Sequence, residues 1–295
     1  MGRILKSKSQ PATFKNSQRG RLTFTGRLRF CGAFAIIYIM LTTEEKTGEK
    51  EFTLPQVEAG IKEMYLSGIH LGYSQTSRNP KMKPYIFGLR NGVEIFDLEK
   101  TKNNLDSAVE FAKKLGKDKK VVLFVGTKKE AKDLTENTAK ELGMPFVKER
   151  WIGGTLTNFK QIKSRIDHLN DLKKKRDTGE LDKYTKKEKL QIERQIKKME
   201  IYFGGLAENL KFLPSAILVV DSKHEKISAS EAKQMNIPVV ALLNSDCDPS
   251  GINYPIPGND NSKSSISYFL GEFAKAYKEG TLLAQQEPVK VETVK

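Results

Sequence analysis

The chain has 295 residues, of which 38% are hydrophobic, and its net charge is +15 at pH 7. This length suits one large domain or two modest ones, and so strong a basic surplus favours a polyanionic partner. The only two cysteines, Cys31 and Cys247, lie far apart in the sequence. They exclude a disulfide framework and a multi-cysteine zinc site, and they suit a reducing compartment.

The positive charge is concentrated in two segments. Residues 1–43 contain eight basic residues and no acidic one, and residues 160–198 contain 14 basic and seven acidic residues. Residues 199–295 are mildly acidic, with nine basic and 12 acidic residues. We therefore expect the basic segments to face a polyanion, and the C-terminal part to contribute packing or a protein contact.

The first 52 residues differ in composition from the rest. A basic, polar lead precedes an apolar run at residues 31–41, which is too short for a bilayer span of about 20 residues. Such a pattern is typical of a signal peptide, of an organelle transit peptide, or of a disordered or artefactual extension before a native start at Met40. We favour the extension, over residues 1–52.

A helix is predicted to begin near Thr53, a suitable N-cap followed by Pro55 in the first turn, and to end at Gly68. The next segment, residues 68–92, is too rich in glycine, proline and asparagine for a long helix or strand. Aromatic residues are interleaved there with positive charge and no acidic residue, which predicts either a nucleic-acid contact or a solvated basic loop. Its basic residues are Arg78, Lys81, Lys83 and Arg90.

Three apolar segments, residues 121–125, 216–220 and 239–243, predict core strands. They are hydrophobic on both faces, as the central strands of a parallel sheet are. Segments with helical periodicity alternate with these strands. Gly116 is predicted to end the helix that precedes the first of the three strands. The pattern predicts an α/β domain over residues 53–156 and 204–280, with helices on both faces of a parallel sheet and a disordered tail at residues 281–295.

The turn after the first core strand carries two lysines, Lys128 and Lys129, at a helix N-terminus. Thr127 and Glu130 have capping-box spacing. A glycine followed by a helix N-terminus is a general anion-binding geometry, but neither a Walker A motif nor a dinucleotide fingerprint is present. An ordinary capped turn is the preferred interpretation, and a nucleotide- or phosphometabolite-binding enzyme that uses residues 126–130 is the alternative.

The segment at residues 150–158 contains Arg150, a double glycine and the only tryptophan, Trp151. The indole ring is either part of the core or a surface on which a base stacks. Thr157 is a candidate N-cap for the helix that follows.

Residues 157–203 predict two helices with narrow apolar seams, joined by a polar turn. Thr185 begins a capping box for the second helix. We predict an antiparallel coiled-coil hairpin inserted in the α/β domain. Its basic face is either merely solvated or an RNA contact, and its densest basic cluster is Lys173, Lys174, Lys175 and Arg176.

Acidic residues follow two of the predicted core strands, at Asp221, Asp246 and Asp248. Together they are candidates for a Mg²⁺ site, but acidic residues beside proline and glycine are more often turn formers. The three histidines lie far apart, and no serine or cysteine nucleophile signature is present. We therefore predict no catalytic site, no metal and no cofactor.

Five segments resemble the bacterial-type small-subunit ribosomal protein S2 family: GIHLGYSQTSRNPKMKPYIFGLRNGVEIFDLEKT, VVLFVGTKKEA, RWIGGTLTNFKQI, LPSAILVVDSKHEKISASEAKQMNIPVVALLNSDCDP and INYPIPGNDNSKSSISYFLG. The resemblance covers about residues 54–280 in order. It implies a flavodoxin-like α/β fold with a coiled-coil hairpin, and a structural, non-catalytic role in the small subunit. The implied partners are small-subunit ribosomal RNA and neighbouring ribosomal proteins, including in many bacteria the messenger-binding protein S1.

One residue departs from the family pattern. Many members have a second histidine where this chain has Tyr73, so a role that needs both imidazoles is in doubt. The resemblance also implies a cytoplasmic, ribosome-bound protein. The residues that we predict to contact RNA, through phosphates and shape, are Arg78, Lys81, Lys83, Arg90, Lys128, Lys129, Arg150, Trp151, Lys173, Lys174, Lys175 and Arg176.

Overall fold

The computed structural model describes residues 59–207, 209–210 and 212–286. The predictions about residues 1–58, including the Thr53 cap and the apolar run at residues 31–41, lie outside the described residues. The same holds for residues 287–295 of the predicted tail.

Seven helices and eight strands are named here in chain order within that part of the chain. The helices are α1 (Ala59–Leu66), α2 (Leu98–Lys117), α3 (Lys129–Leu142), α4 (Phe159–Asp177), α5 (Lys186–Ala207), α6 (Lys226–Gln234) and α7 (Lys263–Gln286). The strands are β1 (Leu71–Ser74), β2 (Ile86–Arg90), β3 (Val93–Phe96), β4 (Val122–Val125), β5 (Phe146–Val147), β6 (Ala216–Val220), β7 (Val239–Leu243) and β8 (Tyr254–Pro257).

Five strands form a parallel sheet in the order β5-β4-β6-β7-β8. Counted along the chain within this sheet, the order is 2-1-3-4-5, which is the flavodoxin-like arrangement. The predicted fold class is therefore confirmed. The order reverses between β4 and β6, so the crevice outside their carboxyl ends is the switch point at which this kind of sheet usually binds a ligand.

Each central strand contributes side chains to two separate cores. On β6, Leu218 and Val220 pack in the core that contains residues of α2 and α7. The alternate residues Ile217 and Val219 belong to the core that contains residues of α4, α5 and α6. This two-sided burial explains why the strand sequences are continuously hydrophobic.

The outer strand β8 was not predicted as a strand because it contains two prolines. It pairs with β7 along one side only. Proline removes a backbone donor, and an edge strand tolerates that loss where a central strand does not.

A second, antiparallel sheet lies in and beside the basic segment at residues 68–92. Its order is β1-β3-β2, and β1 and β2 occupy parts of the segment that we predicted to be irregular. The strands have four or five residues, contain glycine and show register shifts against β3. These features hide the alternation on which a strand prediction depends.

Two glycines lie inside the helices α2 and α7, and the first of them, Gly116, was predicted to end its helix. Gly116 belongs to α2 and Gly280 belongs to α7. A Cβ atom on Gly116 would collide with the carbonyl oxygen of Tyr277, and one on Gly280 with the carbonyl oxygen of Lys113. Both glycines thus allow α2 and α7 to pack backbone against backbone, and α7 continues to Gln286, beyond the predicted start of the tail.

The helix pair α4 and α5 has buried apolar side chains on both helices, in agreement with the predicted apolar seams. Ile162, Ile166 and Leu169 of α4 are buried, as are Ile196 and Met199 of α5. The antiparallel coiled-coil geometry stays a prediction.

The two predicted caps of this helix pair have different outcomes. The capping box before α5 is confirmed, because the Thr185 amide and hydroxyl both donate to the Glu188 carboxylate at 3.0 Å. The predicted cap at Thr157 is wrong, because the N-cap residue of α4 is Asn158. None of the described helices is both long and apolar enough to cross a membrane.

Candidate nucleic-acid interface

The loop between β1 and β2, residues 75–85, is called the basic loop. It is fixed to the edge of the five-stranded sheet at which the parallel strands end. We call this the carboxyl edge. The Asn79 amide donates to the carbonyl oxygen of Ser245, just after β7, at 2.8 Å. The Tyr73 amide donates to the Ser245 hydroxyl at 3.0 Å, and Met82 is fully buried. The loop is therefore an ordered platform rather than a loose basic segment.

Arg78 faces a buried acid of the small sheet. Its guanidinium lies 3.1 Å from the Glu94 carboxylate, and the Glu94 side chain is only 2% exposed. A buried carboxylate is destabilising without a cation beside it. Arg78 therefore has a structural role, and its contact with RNA stays a prediction.

The other basic residues of the segment at residues 68–92 differ in exposure and in their ion pairs. The exposed Lys81 ammonium lies 2.9 Å from the Asp248 carboxylate and 2.8 Å from the Ser250 hydroxyl. Hydrogen bonds from the Ser250 amide and from Lys81 hold the pKa of Asp248 below its usual value. Lys83 is exposed and has no ion pair with any residue that the structure describes. Arg90 is half-buried in β2.

The switch point is filled by the chain's own charges. The Lys128 ammonium lies 3.0 Å from the buried Asp260 carboxylate, 3.8 Å from Asp221 and 3.2 Å from the Tyr73 hydroxyl. Burial raises the pKa of Asp260 to about 6, although hydrogen bonds from Asn244 and Lys128 oppose this shift. Lys128 thus pairs with internal carboxylates, and its contact with RNA stays a prediction.

The turn at residues 126–130 also lacks the features of a nucleotide site. The Thr127 hydroxyl donates to the buried Glu225 carboxylate, so the predicted capping box of α3 is wrong. A Cβ atom on Gly126 would collide with the Thr135 hydroxyl, which indicates that this glycine serves helix packing. A carboxylate faces the turn where a phosphate would have to bind, so the enzyme alternative is not supported.

The Trp151 segment is organised around one carboxylate of α6. Glu231 accepts hydrogen bonds from the Trp151 indole at 3.1 Å, from the Gly154 amide at 2.8 Å and from the Leu156 amide at 3.0 Å. Burial alone would raise the pKa of Glu231, but these donors together hold it below the usual value. Trp151 is 5% exposed, so the core interpretation of its ring is favoured over stacking on a base.

Sequence reasoning missed Glu231, whose donors lie 74 to 80 residues away in the chain. A double glycine beside a lone tryptophan indicates a tight turn, but it carries no signal for the acid that holds it. Arg150, next to that turn, is exposed and lines a cleft of about 350 Å³ with Thr127 and His224 at the switch point.

The carboxyl edge therefore brings together three of the predicted RNA contacts as exposed cations. They are Lys83, Lys129 and Arg150, and none forms an ion pair within the part of the chain that the structure describes. Exposed cations on an ordered edge are available to phosphates.

The predicted cluster on the helix pair lies in a different part of the fold. Lys173 is 3.0 Å from Glu200 and lines a cleft with Phe146 of β5. The Arg176 guanidinium is 3.1 Å from its neighbour Asp177, whereas Lys174 and Lys175 are exposed.

The acids considered for a metal site face lysines. Asp246 lies 2.8 Å from the Lys223 ammonium, and Asp221 accepts hydrogen bonds from the amides of Lys223 and His224. The described residues contain no cluster of three metal-binding side chains. The amide hydrogen bonds to Asp221 agree with the turn-former interpretation of that residue, and the absence of a metal stays a prediction.

The comparison with protein families decides the relationship. A sequence model described as ribosomal protein S2 matches residues 64–280. The chain belongs to the ribosomal protein S2 family. The match begins inside α1 and ends inside α7, so it includes both sheets and the α4–α5 helix pair.

Curated members of the S2 family are similar over most of their length. The small ribosomal subunit protein uS2 of Francisella tularensis subsp. novicida is 46% identical over 216 residues, 73% of this chain and 90% of its own. The protein of the same name from a Nitratiruptor species is 43% identical over 227 residues, 77% and 85% of the two chains. That from Dictyoglomus turgidum is 42% identical over 227 residues, 77% and 92%.

The tyrosine that departs from the S2 family pattern joins the switch-point network. The Tyr73 hydroxyl donates to the Asn261 side chain at 2.9 Å and lies near Lys128. His70, the histidine that remains, is stacked on Tyr65 at 4.4 Å between ring centroids, and burial lowers its pKa. In this chain the two positions serve packing and hydrogen bonding.

Proposed function

We infer that this chain is a structural constituent of the small ribosomal subunit, a ribosome-bound protein of the cytoplasm without a catalytic role. The observation that carries this inference is the S2 family match over residues 64–280, joined to relatives at 43–46% identity that are named small ribosomal subunit protein uS2. Its partners are small-subunit ribosomal RNA and neighbouring ribosomal proteins.

The basic residues at the carboxyl edge are our proposed RNA contacts within this function. Lys83, Lys129 and Arg150 support it through exposure and the absence of an ion pair among the described residues. Lys174 and Lys175 of α4 are a second proposed contact. Both groups would bind phosphates and read the shape of the RNA, because neither presents an exposed aromatic platform for bases.

We further propose that the messenger-binding protein S1 is among the neighbouring proteins. The resemblance to bacterial members of the family supports this partner. Small subunits purified through this chain should retain S1, and subunits from cells depleted of the chain should lose it. Equal amounts of S1 in both preparations would reject the proposal.

Sedimentation of tagged full-length protein from a bacterial host tests the function. We expect the tag in the small-subunit peak of a sucrose gradient. The double variant Lys83→Glu/Arg150→Glu should lower the bound fraction at least about threefold, because each reversal replaces attraction to a phosphate by repulsion. The matched control, Lys62→Glu/Lys114→Glu, makes the same charge change on exposed lysines of α1 and α2 and should remain bound.

Two results would contradict these inferences separately. Wild-type protein that stays at the top of the gradient would reject a role in the small subunit. Wild-type binding with equal retention of both double variants would reject only the proposed contacts.

A further inference from the structure

A cleft of about 440 Å³ opens beside α6 at the carboxyl edge. One side is formed by Lys226, Ser230 and Lys233 of α6. Ser230 and Lys233 follow Lys226 by four and seven residues, so all three share one face of the helix. The opposite side is formed by the segment between β7 and β8, including Asp248 and Ser250. This region belongs to the mildly acidic part of the sequence, for which composition predicted packing or a protein contact.

The acidic groups of the cleft are already neutralised. The Asp246 carboxylate lies 2.8 Å from the Lys223 ammonium, and the Asp248 carboxylate lies 2.9 Å from Lys81. The Lys223 ammonium donates a hydrogen bond to the Asp246 carboxylate, and this bond raises the pKa of Lys223. The local acids therefore do not cancel the charge of the α6 lysines.

Two positive charges are left over on the α6 face. Lys226 and Lys233 are exposed and form no ion pair with a residue in the described ranges. The exposed Ser230 lines the cleft between these two lysines on the same helix face.

The lysine at the far end of the cleft is positioned by a glycine. Gly251 has a φ of +86°, and the side chain of Lys233 passes over it, with Cδ 3.2 Å and Nζ 3.4 Å from the place a Cβ would occupy. A larger residue would strain the backbone and displace the lysine. The Lys233 stem thus rests on the loop, which reduces the freedom that its ammonium would lose on binding.

We propose that this cleft binds the phosphate backbone of small-subunit ribosomal RNA through Lys226 and Lys233. The inference rests on the proposed function and adds α6 to its RNA surface. Asn79, which lies within the basic loop, lines the same cleft, so the surface that carries Lys83 continues into it. This continuity, with the excess positive charge, favours RNA over an acidic segment of a neighbouring protein.

The test measures binding of the full-length protein to a transcript of bacterial small-subunit ribosomal RNA over a series of KCl concentrations. The variant Lys226→Ala/Lys233→Ala should weaken binding about tenfold at about 0.1 M salt, and the slope of log K against log salt should fall by about 2. The matched control Lys62→Ala/Lys114→Ala should stay within about twofold of wild type. Thermal unfolding should show the same midpoint for both variants, because all four lysines are exposed.

Three other outcomes would contradict either the cleft proposal or the function on which it rests. Wild-type protein that does not bind the transcript would count against the proposed function itself. Wild-type binding with the α6 variant equal to the control would overturn the cleft alone. If that variant bound the transcript normally but incorporated poorly into small subunits, the cleft would instead receive an acidic protein segment, and the RNA proposal would be wrong.

Discussion

Glu231 offers the sharpest test of how the Trp151 segment is held. Three donors lie within 3.1 Å of its carboxylate: the buried Trp151 indole, the Leu156 amide and the part-buried Gly154 amide. Glu231→Ala leaves all three without their acceptor. Each buried donor without a partner costs about 1–3 kcal/mol, and water can reach Gly154, so we expect a loss of about 4 kcal/mol in the free energy of unfolding.

Urea unfolding followed by circular dichroism measures this loss. For a slope of about 2.5 kcal/mol per molar urea, a loss of about 4 kcal/mol lowers the midpoint by about 1.5 M. Glu231→Gln keeps the shape and one acceptor oxygen, so it should lose about half as much. Glu193→Gln, on the exposed face of α5, is the control and should leave the midpoint unchanged.

A double-mutant cycle and a pH series identify the interaction itself. Trp151→Phe removes only the indole donor, and it should couple to Glu231→Gln by about 1 kcal/mol. Because the folded pKa of Glu231 is lowered, its stabilisation is present above the unfolded value of about 4.3 and is lost as the pH falls through the folded pKa. A cost below about 1 kcal/mol for Glu231→Ala, or additive losses in the cycle, would refute the reasoning.

Three further predictions concern buried groups elsewhere in the fold. Arg78→Ala should lower the free energy of unfolding by about 3 kcal/mol, because Glu94 becomes a buried charge without a partner. The double variant that also carries Glu94→Gln should recover most of this loss in urea unfolding. A double variant as unstable as Arg78→Ala would contradict a stabilising ion pair. Gly116→Ala should cost several kcal/mol, on the order of an overpacked core, because its Cβ meets a backbone carbonyl of α7. Gly271→Ala, with open space around its Cβ, is the matched control and should stabilise by about 0.5–1 kcal/mol in the same assay; similar effects for both glycines would be inconsistent with the close packing. Burial raises the pKa of Asp260 to about 6 in the folded state, whereas an unfolded aspartate has a pKa of about 4. The folded state therefore keeps this proton to a higher pH, and the free energy of unfolding falls as the pH rises from about 4 to about 6. Asp260→Asn should remove that part of the pH dependence in urea unfolding, and parallel profiles for the two proteins would reject it.

The core of the fold could be predicted from the sequence because its signals are local. Residues 121–125, 216–220 and 239–243 are hydrophobic without interruption, and β4, β6 and β7 lie there, buried on both faces. The small sheet was missed because β1 and β2 are short and contain glycine. Gly116 was misread because a glycine at a close helix crossing has the same sequence signature as one that ends a helix.

The candidate interface was only partly predictable, because the availability of a charge depends on distant partners. Lys128 and Lys129 are adjacent in the sequence, yet Lys128 reaches buried Asp260 and Lys129 is exposed. The net charge of residues 199–295 also hides the local charge at α6. The acids that make residues 199–295 net negative include Asp246 and Asp248, which are paired to lysines at the cleft, and this pairing leaves Lys226 and Lys233 as excess charge.

The most direct test of the account is the structure of small ribosomal subunits purified through the tagged chain and imaged by electron cryomicroscopy. We expect density for the flavodoxin-like domain on the particle, with Lys83 and Arg150 facing RNA and their charged groups within about 4 Å of phosphate oxygens. Particles without the domain would contradict the role in the small subunit. A domain bound with its carboxyl edge turned to solvent would contradict the proposed interface.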